Sequence, residues 1–509
     1  MALELNEQQA QRLATVRELE QQGIEAYPAR SHRTHAAREA IALFEAEEPL
    51  LEGQPSPEEI ALAGRVMALR DMGKAIFSHI RDGSGPIQLY ARRNILGEEA
   101  FARFKHAVDL GDFIEARGRL FRTRTGEVTL EVNGFRLLSK AINPPPEKWH
   151  GLTDVEIRYR QRYVDLMANE EVRNIFVIRS KIIQAIRRFL DEQRFLEVET
   201  PTLQPLYGGA AARPFTTHYH ALDQTFYLRI ADELYLKRLL VGGFERVYEI
   251  CKDFRNEGID TRHSPEFTML ELYMAYADYR DVMELFEQMV AFVVREALGT
   301  EQITWGEHQI NLTPPWQRMS LCQAIIDATG IDYLEVTDQR KLYKRATAIG
   351  AKIEPGTVWP RIVDELLKSF VQPKLIQPTF LVDYPVQLSP LAKQSPENPA
   401  VAERFQAYIA GMEVANAFSE LNNPMEQLNR FLIQACDRAA GDEEAMVIDE
   451  DFIRALMHGM PPTGGLGVGI DRLTMLLTNQ QNIREVILFP HLRSKGDEQP
   501  RLISERDRG

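Results

Sequence analysis

The residue types best suited to chemistry are gathered in one segment, FRNEGIDTRHSPEFTMLELYMAY, at positions 254–276. It reads as strand, polar loop, strand, with the turn formers Gly258, Asp260, Ser264 and Pro265 in the loop. Successive side chains of a strand point to opposite faces. Phe267, Met269, Glu271 and Tyr273 therefore share one face, while Glu266, Thr268 and Leu270 take the other. Arg255, Glu257, Arg262 and His263 lie just ahead of that strand. Arginine forks grip phosphate oxygens, and an aromatic face can hold a purine, so the hairpin suits a nucleoside triphosphate. The plain alternative is a surface hairpin with solvated charges. The gathering of arginines, a histidine and a ring in one place weighs against it.

Composition limits what else the chain can be. Its 509 residues are 44% hydrophobic and 26% charged, an ordinary globular balance with material for two or three domains. Cys251, Cys322 and Cys436 are scattered, with no metal-ligand spacing. That argues against structural zinc and a disulfide framework, and fits a reducing, cytoplasmic setting. The opening MALELNEQQA is polar and acidic, so no secretory leader is expected. No apolar run approaches the length of a membrane span. The net charge of −14 disfavours nonspecific nucleic-acid binding, although a locally basic face on an acidic body remains compatible with it.

The elements that must position the hairpin follow in chain order. Residues 6–23 read as a helix, with Asn6 and Gln9 in a capping-box pattern and Gly23 just past the end. A weaker helix covers 36–47, and residues 1–58 form a helical extension. From 60 to 141 the pattern turns to short alternating runs separated by DGSG and RTGE, with FARFKHAVDLGD as a helix between the third and fourth of five strands. That is the order of an OB-fold barrel, assigned to 59–145. Such barrels stack bases on aromatic rings beside polar and basic side chains. Phe77, Gln88, Arg65 and Arg70 are candidates, with Phe77 as core and Gln88 as a solvated side chain the competing reading. INPPPEKWHGL then suggests a stiff connector, and 146–171 is read as a linker before a second domain at 172–509. There, 173–195 reads as a strong amphipathic helix, 281–298 as another, and 301–371 as an inserted helical module. In EVANAFSELNN, Asn416, Phe418 and Glu420 share a face; Glu413 takes the opposite one unless a bulge intervenes. GGLGVGIDRLTMLL is glycine-rich, but it has neither P-loop nor Rossmann spacing.

FRNE followed by RHSPEFTMLE resembles the second signature of the class II aminoacyl-tRNA synthetases, in the form used by lysyl-tRNA synthetases of bacterial type. The helix at 173–195 with FLEVETPTL resembles the first motif, and GGLGVGIDRLTMLL the third. ELYMAYADY and REVILFPH match as well, so the likeness runs over nearly the whole chain. The resemblance implies an α+β chain: an N-terminal anticodon-binding barrel and a catalytic domain on a mixed, mainly antiparallel sheet. It implies ATP-dependent activation of L-lysine and transfer to tRNA(Lys), with magnesium as cofactor and a homodimer about the first motif.

The resemblance also assigns residues. Arg255 and Arg472 are catalytic, with Arg255 on the α-phosphate and Glu257 reading the adenine amino group. Arg262 and His263 hold the outer phosphates, and Phe267 and Arg472 sandwich the base. Gly209, Glu233, Glu271, Tyr273, Asn416, Phe418 and Glu420 form the lysine site, and Glu413 with Glu420 carries magnesium. Glu233 is otherwise a favourable first-turn charge, and paired strand glutamates are more often surface charges. Arg65, Phe77 and Gln88 would contact the anticodon. Gly134 stands where the family usually has a glutamate. The acidic Glu271 disfavours aspartyl- and asparaginyl-type relatives, which need a cationic pocket. Two other readings remain: a paralogue that lysylates a protein, disfavoured by the barrel, and a non-catalytic tRNA-binding protein, disfavoured by the presence of Arg255 and Arg472.

Overall fold

The structure, a computed structural model, describes residues 5–145, 152–439 and 447–493. Two compact units divide them, the first ending at Thr153 and the second running from Asp154 to Arg493.

In the first unit the strands Ile60–Asp71, Ala75–Arg81, Pro86–Arg92, Phe113–Arg122 and Val128–Ser139 close into a barrel, sealed by pairing of Ile60–Asp71 with Phe113–Arg122. The alternating pattern explains its lining: Ile76, Ser78 and Ile80 point inward, and Phe77 and His79 point out. The helix Glu98–Ala107 falls between the third and fourth strands, with Phe101, Phe104 and Ala107 buried. The first helix is Glu7–Gln21. Asn6 caps it, accepting from the Gln9 amide at 2.9 Å while the Gln9 side chain accepts from the Asn6 amide at 2.8 Å.

The second unit is built on an eight-stranded sheet. Its order is Gln317–Ser320, Thr379–Pro385, Val401–Ile409, Met412–Ser419, Thr463–Gly469, Glu266–Ala275, Arg246–Phe254, Leu196–Glu197. Pairing is antiparallel except at the two outermost pairs, which are parallel. One sheet face presents Leu270, Leu272, Phe405, Ala407, Ala417, Leu466 and Val468 to the helices Glu170–Glu192 and Tyr279–Leu298 in one large apolar core. Strand alternation leaves the other face free for a site.

Two expectations differ from what is found. Of the linker assigned to 146–171, residues 146–151 lie outside the described residues, but Val155–Arg160 and Arg162–Ala168 are helices of the second unit. Arg162 is wholly buried there, bonded to Asp165 at 2.6 Å and to the carbonyls of Arg484 and Leu488. Partners more than three hundred residues away hold this segment, and no local pattern reveals them. The inserted module at 301–371 is only partly helical. It begins with the hairpin Gln302–Trp305 and His308–Asn311, then supplies the sheet-edge strand Gln317–Ser320 before its helices start at Leu321.

Candidate active site

The hairpin forms as its pattern predicts, with Glu249 opposite Glu271 and Asp253 opposite Phe267. Phe267, Met269, Glu271 and Tyr273 face a cavity of about 510 Å³ on the free side of the sheet. Arg255, Glu257, Arg262, His263, Glu413 and Arg472 line the same cavity. So do Gly209, Glu233, Asn416, Phe418 and Glu420. Every candidate named in the second unit is thus brought to one place, although they come from stretches far apart in the chain.

One end of the cavity is cationic. The Arg255 guanidinium lies 5.1 Å from the Phe267 ring centre, and its Nε donates to the Ile230 carbonyl at 3.4 Å. Asp260 organises the loop, accepting from the backbone amides of Arg262 at 2.6 Å and His263 at 2.8 Å, with His263 Nδ1 2.7 Å from its other oxygen. Arg262 donates to the Gly411 carbonyl at 3.2 Å. Arg472 donates to the Glu413 carbonyl at 2.9 Å and reaches His263 Nε2 at 3.1 Å. These guanidinium groups bond carbonyls and an imidazole, so much of their donor capacity is left for an anion. Glu257 is exposed at the mouth.

The other end is acidic. Tyr273 Oη donates to Glu271 at 3.0 Å. Glu233 opens the helix Glu233–Val241, and Lys237, one turn on, bonds it at 2.5 Å while also pairing with Glu420. Burial, then the Asp232, Glu233 and Asp253 carboxylates, pushes the Glu271 carboxyl well above its ordinary value. Burial likewise raises Glu233 and Glu420, with the Lys237 charge opposing the rise in both. The glycine strand Thr463–Gly469 makes the floor. A Cβ on Gly465 would collide with a Glu420 oxygen and lie 2.6 Å from the Tyr273 ring, and one on Gly467 would lie 2.7 Å from Glu271. These glycines clear space for carboxylates and do not wrap a phosphate.

The metal pair must be corrected. A bulge places Glu413 opposite Tyr408 and Ala415 opposite Ala407, which restores Glu413 to the cavity face. Glu420, however, is seven residues further along extended chain. At a rise of about 3.3 Å per residue that is roughly 20 Å, too far for one ion to bridge. Lys237 already holds Glu420. Directly across from Glu413 stands Tyr408, whose Oη donates to Gln406 Oε1 at 2.8 Å, and Gln406 lines the same cavity as Glu413. A separate buried group, Asp232, Glu249 and Cys251, has its donor atoms within 4.8 Å of one another. Of this group Arg229 bonds Glu249 at 2.7 Å, and it lies 3.6 Å from the neighbouring Asp253, while neither Asp232 carboxylate oxygen has a hydrogen-bond partner among the described residues.

On the barrel, Phe77 stacks on Tyr90 with ring centres 4.4 Å apart, and Tyr90 in turn lies 6.0 Å from Phe121. Gln88 is on the same outer face, donating to Glu127 at 2.7 Å and accepting from Thr129 at 2.8 Å. Arg117 and Arg119, on the strand Phe113–Arg122 that also carries Phe121, are exposed. Arg65 is not gathered with Phe77 and Gln88. It pairs with Arg81, four residues or about 13 Å along the strand from Phe77, and is engaged by the Gly111 carbonyl and the Phe113 ring. Nothing crowds Gly134, so no steric reason requires a glycine there.

Residues 154–493 match the family model described as tRNA synthetases class II (D, K and N). The chain belongs to the class II tRNA synthetases. Residues 60–138 match the OB-fold nucleic acid binding domain. The chain is 54% identical to the lysine–tRNA ligase of Carboxydothermus hydrogenoformans over 97% of its own length and 99% of that protein. It is 55% identical to the lysine–tRNA ligase of Chloroflexus aurantiacus over 97% and 100%, and 48% identical to that of Halalkalibacterium halodurans over 97% and 98%. In this synthetase, sequence reasoning missed Lys237, Gln406, Arg404, Tyr90 and Phe121. Lys237 hid in an apolar helix, ELYLKRLLV, where its long stem reads as a surface side chain. Arg404 donates to Asn416 at 2.9 Å and to the Leu388 carbonyl at 2.6 Å, fixing one cavity wall.

Proposed function

We infer that the protein is a ligase that activates lysine with ATP and transfers it to tRNA. The observation that carries this is the polarity of one cavity, cationic where Arg255, Arg262, His263 and Arg472 converge and acidic where Glu233, Glu271 and Glu420 do. A triphosphate and a diamino acid are the complementary occupants. A carboxylate oxygen of lysine attacks the α-phosphorus of ATP and the bond to pyrophosphate breaks, giving lysyl-adenylate. A terminal tRNA hydroxyl then attacks the lysyl carbonyl and AMP leaves. No protein nucleophile is called for, and no cysteine lines the cavity among the described residues.

The chain's part is positioning and charge stabilisation. Phe267 and Arg472 hold the adenine, with Glu257 at its amino group. Arg255 meets the α-phosphate and the lysine carboxylate, where charge builds up in the transition state. Arg262 and His263 take the outer phosphates, His263 fixed by Asp260. Glu233 and the backbone at Gly209 accept the α-ammonium. Glu271 and Tyr273 take the side-chain ammonium with Glu420, and Asn416 and Phe418 line its stem. Magnesium prefers hard oxygens. The Glu413 carboxylate with the Gln406 amide oxygen fits that preference, and the ion would draw phosphate charge toward the cationic end.

Phe77, Tyr90 and Gln88 support a stacking and hydrogen-bonding platform for the tRNA anticodon, with the outer arginines on phosphate. Val177, Leu196, Leu203 and Phe244 are exposed apolar residues on and after the helix Glu170–Glu192, which supports a homodimer through that region. No helix among the described residues is long and apolar enough to cross a membrane, in keeping with a cytoplasmic enzyme. Pyrophosphate exchange with each of the twenty amino acids tests the reading. Exchange should depend on lysine alone, and exchange driven by another amino acid overturns it.

A further inference from the structure

Lys237 has no exposed surface and does not line the cavity, yet it touches two residues that do. It stands four residues after Glu233 on one helix, the spacing that puts side chains on a common face. Its ammonium bonds Glu233 at 2.5 Å and pairs with Glu420, which comes from the end of the strand Met412–Ser419. The rings of Phe418 and Phe452 lie 5.4 Å and 6.0 Å from it. Its helix neighbours Leu236 and Leu240 are buried in an apolar cluster, so packing alone would be served by another aliphatic residue. A buried ammonium is costly unless fully paired, and this one is placed where its two partners are both cavity carboxylates. Arg404, the other cation acting on Glu233, directs its hydrogen bonds to Asn416, Leu388 and Ser389. Of the other buried charges, Arg229 bonds Glu249 and lies 3.6 Å from Asp253, while Asp232 acts on Glu271 as a further negative charge.

We propose that Lys237 is a positioning residue for amino-acid choice: it ties Glu233 to Glu420 and cancels one of the three carboxylate charges that meet the substrate. Glu233, Glu271 and Glu420 carry three negative charges when ionised, and Lys237 supplies one positive charge. Two remain, matching the two ammonium groups of a diamino acid. An amino acid with an uncharged side chain leaves one buried carboxylate unpaired. The tie also fixes the spacing between the carboxylate that meets the α-ammonium and one that meets the side-chain ammonium. This inference rests on the reading of the cavity as a lysine site.

The test is steady-state pyrophosphate exchange with the full-length Lys237→Met variant, which keeps the stem and removes the charge. The KM for lysine should rise about thirtyfold or more, as for loss of one partner of a buried charge pair, while the KM for ATP stays within about twofold. Removing the ammonium raises the pKa of both carboxylates, so the acid limb of kcat/KM for lysine should move to higher pH. A merely structural role would lower activity with both substrates and leave that limb in place. If Lys237→Met does not fold, Lys237→Gln, which keeps a hydrogen-bond donor without the charge, serves the same comparison. Unchanged lysine KM and pH profile in a folded variant overturns the proposal, and so does failure of both variants to fold, because the role is then structural. Wild-type protein that shows no lysine-dependent exchange overturns the function itself and is distinguishable from either result.

Discussion

Arg472 and His263, 209 positions apart in sequence, meet at 3.1 Å between Nη2 and Nε2. The loop of the central hairpin and the helix Ile470–Leu477 after the glycine strand are thereby joined at the cationic end of the cavity. Asp260 on the other imidazole nitrogen completes a chain of three side chains. His263→Ala should leave Arg472 tethered only through the Glu413 carbonyl. The expected result is a KM for ATP raised by about tenfold with the KM for lysine little changed, measured by pyrophosphate exchange. Equal effects on both substrates would contradict a role confined to the phosphates.

Arg255→Ala should reduce pyrophosphate exchange by about 10²–10³-fold or more, the usual loss for a donor aimed at developing transition-state charge. The guanidinium sits at the cavity over Phe267 and is not part of the apolar core, so the melting temperature should stay close to wild type. Near-normal exchange in a folded variant would refute the role.

Glu271→Gln keeps the size and the hydrogen bond to Tyr273 but removes the charge. The KM for lysine should rise far more than that for ATP. Ornithine, one methylene shorter, should be disfavoured by about 1–3 kcal/mol in the wild type. Unchanged lysine affinity in the variant would place the side-chain ammonium elsewhere.

Glu233, Glu271 and Glu420 all have carboxyls raised by burial. In the folded, ligand-free chain burial shifts each of them toward its protonated form, against the opposing Lys237 charge at Glu233 and Glu420. Their contribution to stability is therefore complete below the ordinary carboxylate range and is lost as pH rises through each raised value. Bound ammonium groups favour the ionised forms. Lysine should accordingly bind with release of protons, and its KM should fall as pH rises, until lysine's own α-ammonium, the more acidic of its two, begins to titrate. Calorimetry in two buffers of different ionisation enthalpy measures the proton count. Proton uptake on binding would contradict this arrangement.

Phe77→Ala should weaken tRNA binding by about 1–3 kcal/mol, the range for loss of one stacking ring, and leave pyrophosphate exchange untouched. Arg65→Ala should do much less, since that guanidinium is already engaged by Gly111 and Phe113. Filter binding of the full chain to a tRNA with a uridine-rich anticodon compares the two. Equal losses would restore Arg65 to the contact surface.

Much of this molecule is legible in its sequence because the deciding physics is local. A period of two places Phe267, Glu271 and Tyr273 on one face, and a period near 3.6 marks the helices that cover the other. Capping chemistry at Asn6 and the alternation of the barrel strands are equally local. What could not be read were relations that depend on register and on distant partners. The bulge that returns Glu413 to the cavity is set by pairing with Ala407 and Tyr408, and the same continuous strand separates Glu413 from Glu420. The family resemblance suggested a shared ion for those two carboxylates; extended geometry forbids it. Arg162 and Lys237 look like surface charges by composition, yet each is buried because counter-charges and carbonyls from remote segments close around it. The sequence by itself determined which residues could bind a nucleotide and an amino acid. Only the tertiary structure decided which carboxylates share a cation, since a buried charge takes its meaning from whatever the fold brings within hydrogen-bonding distance.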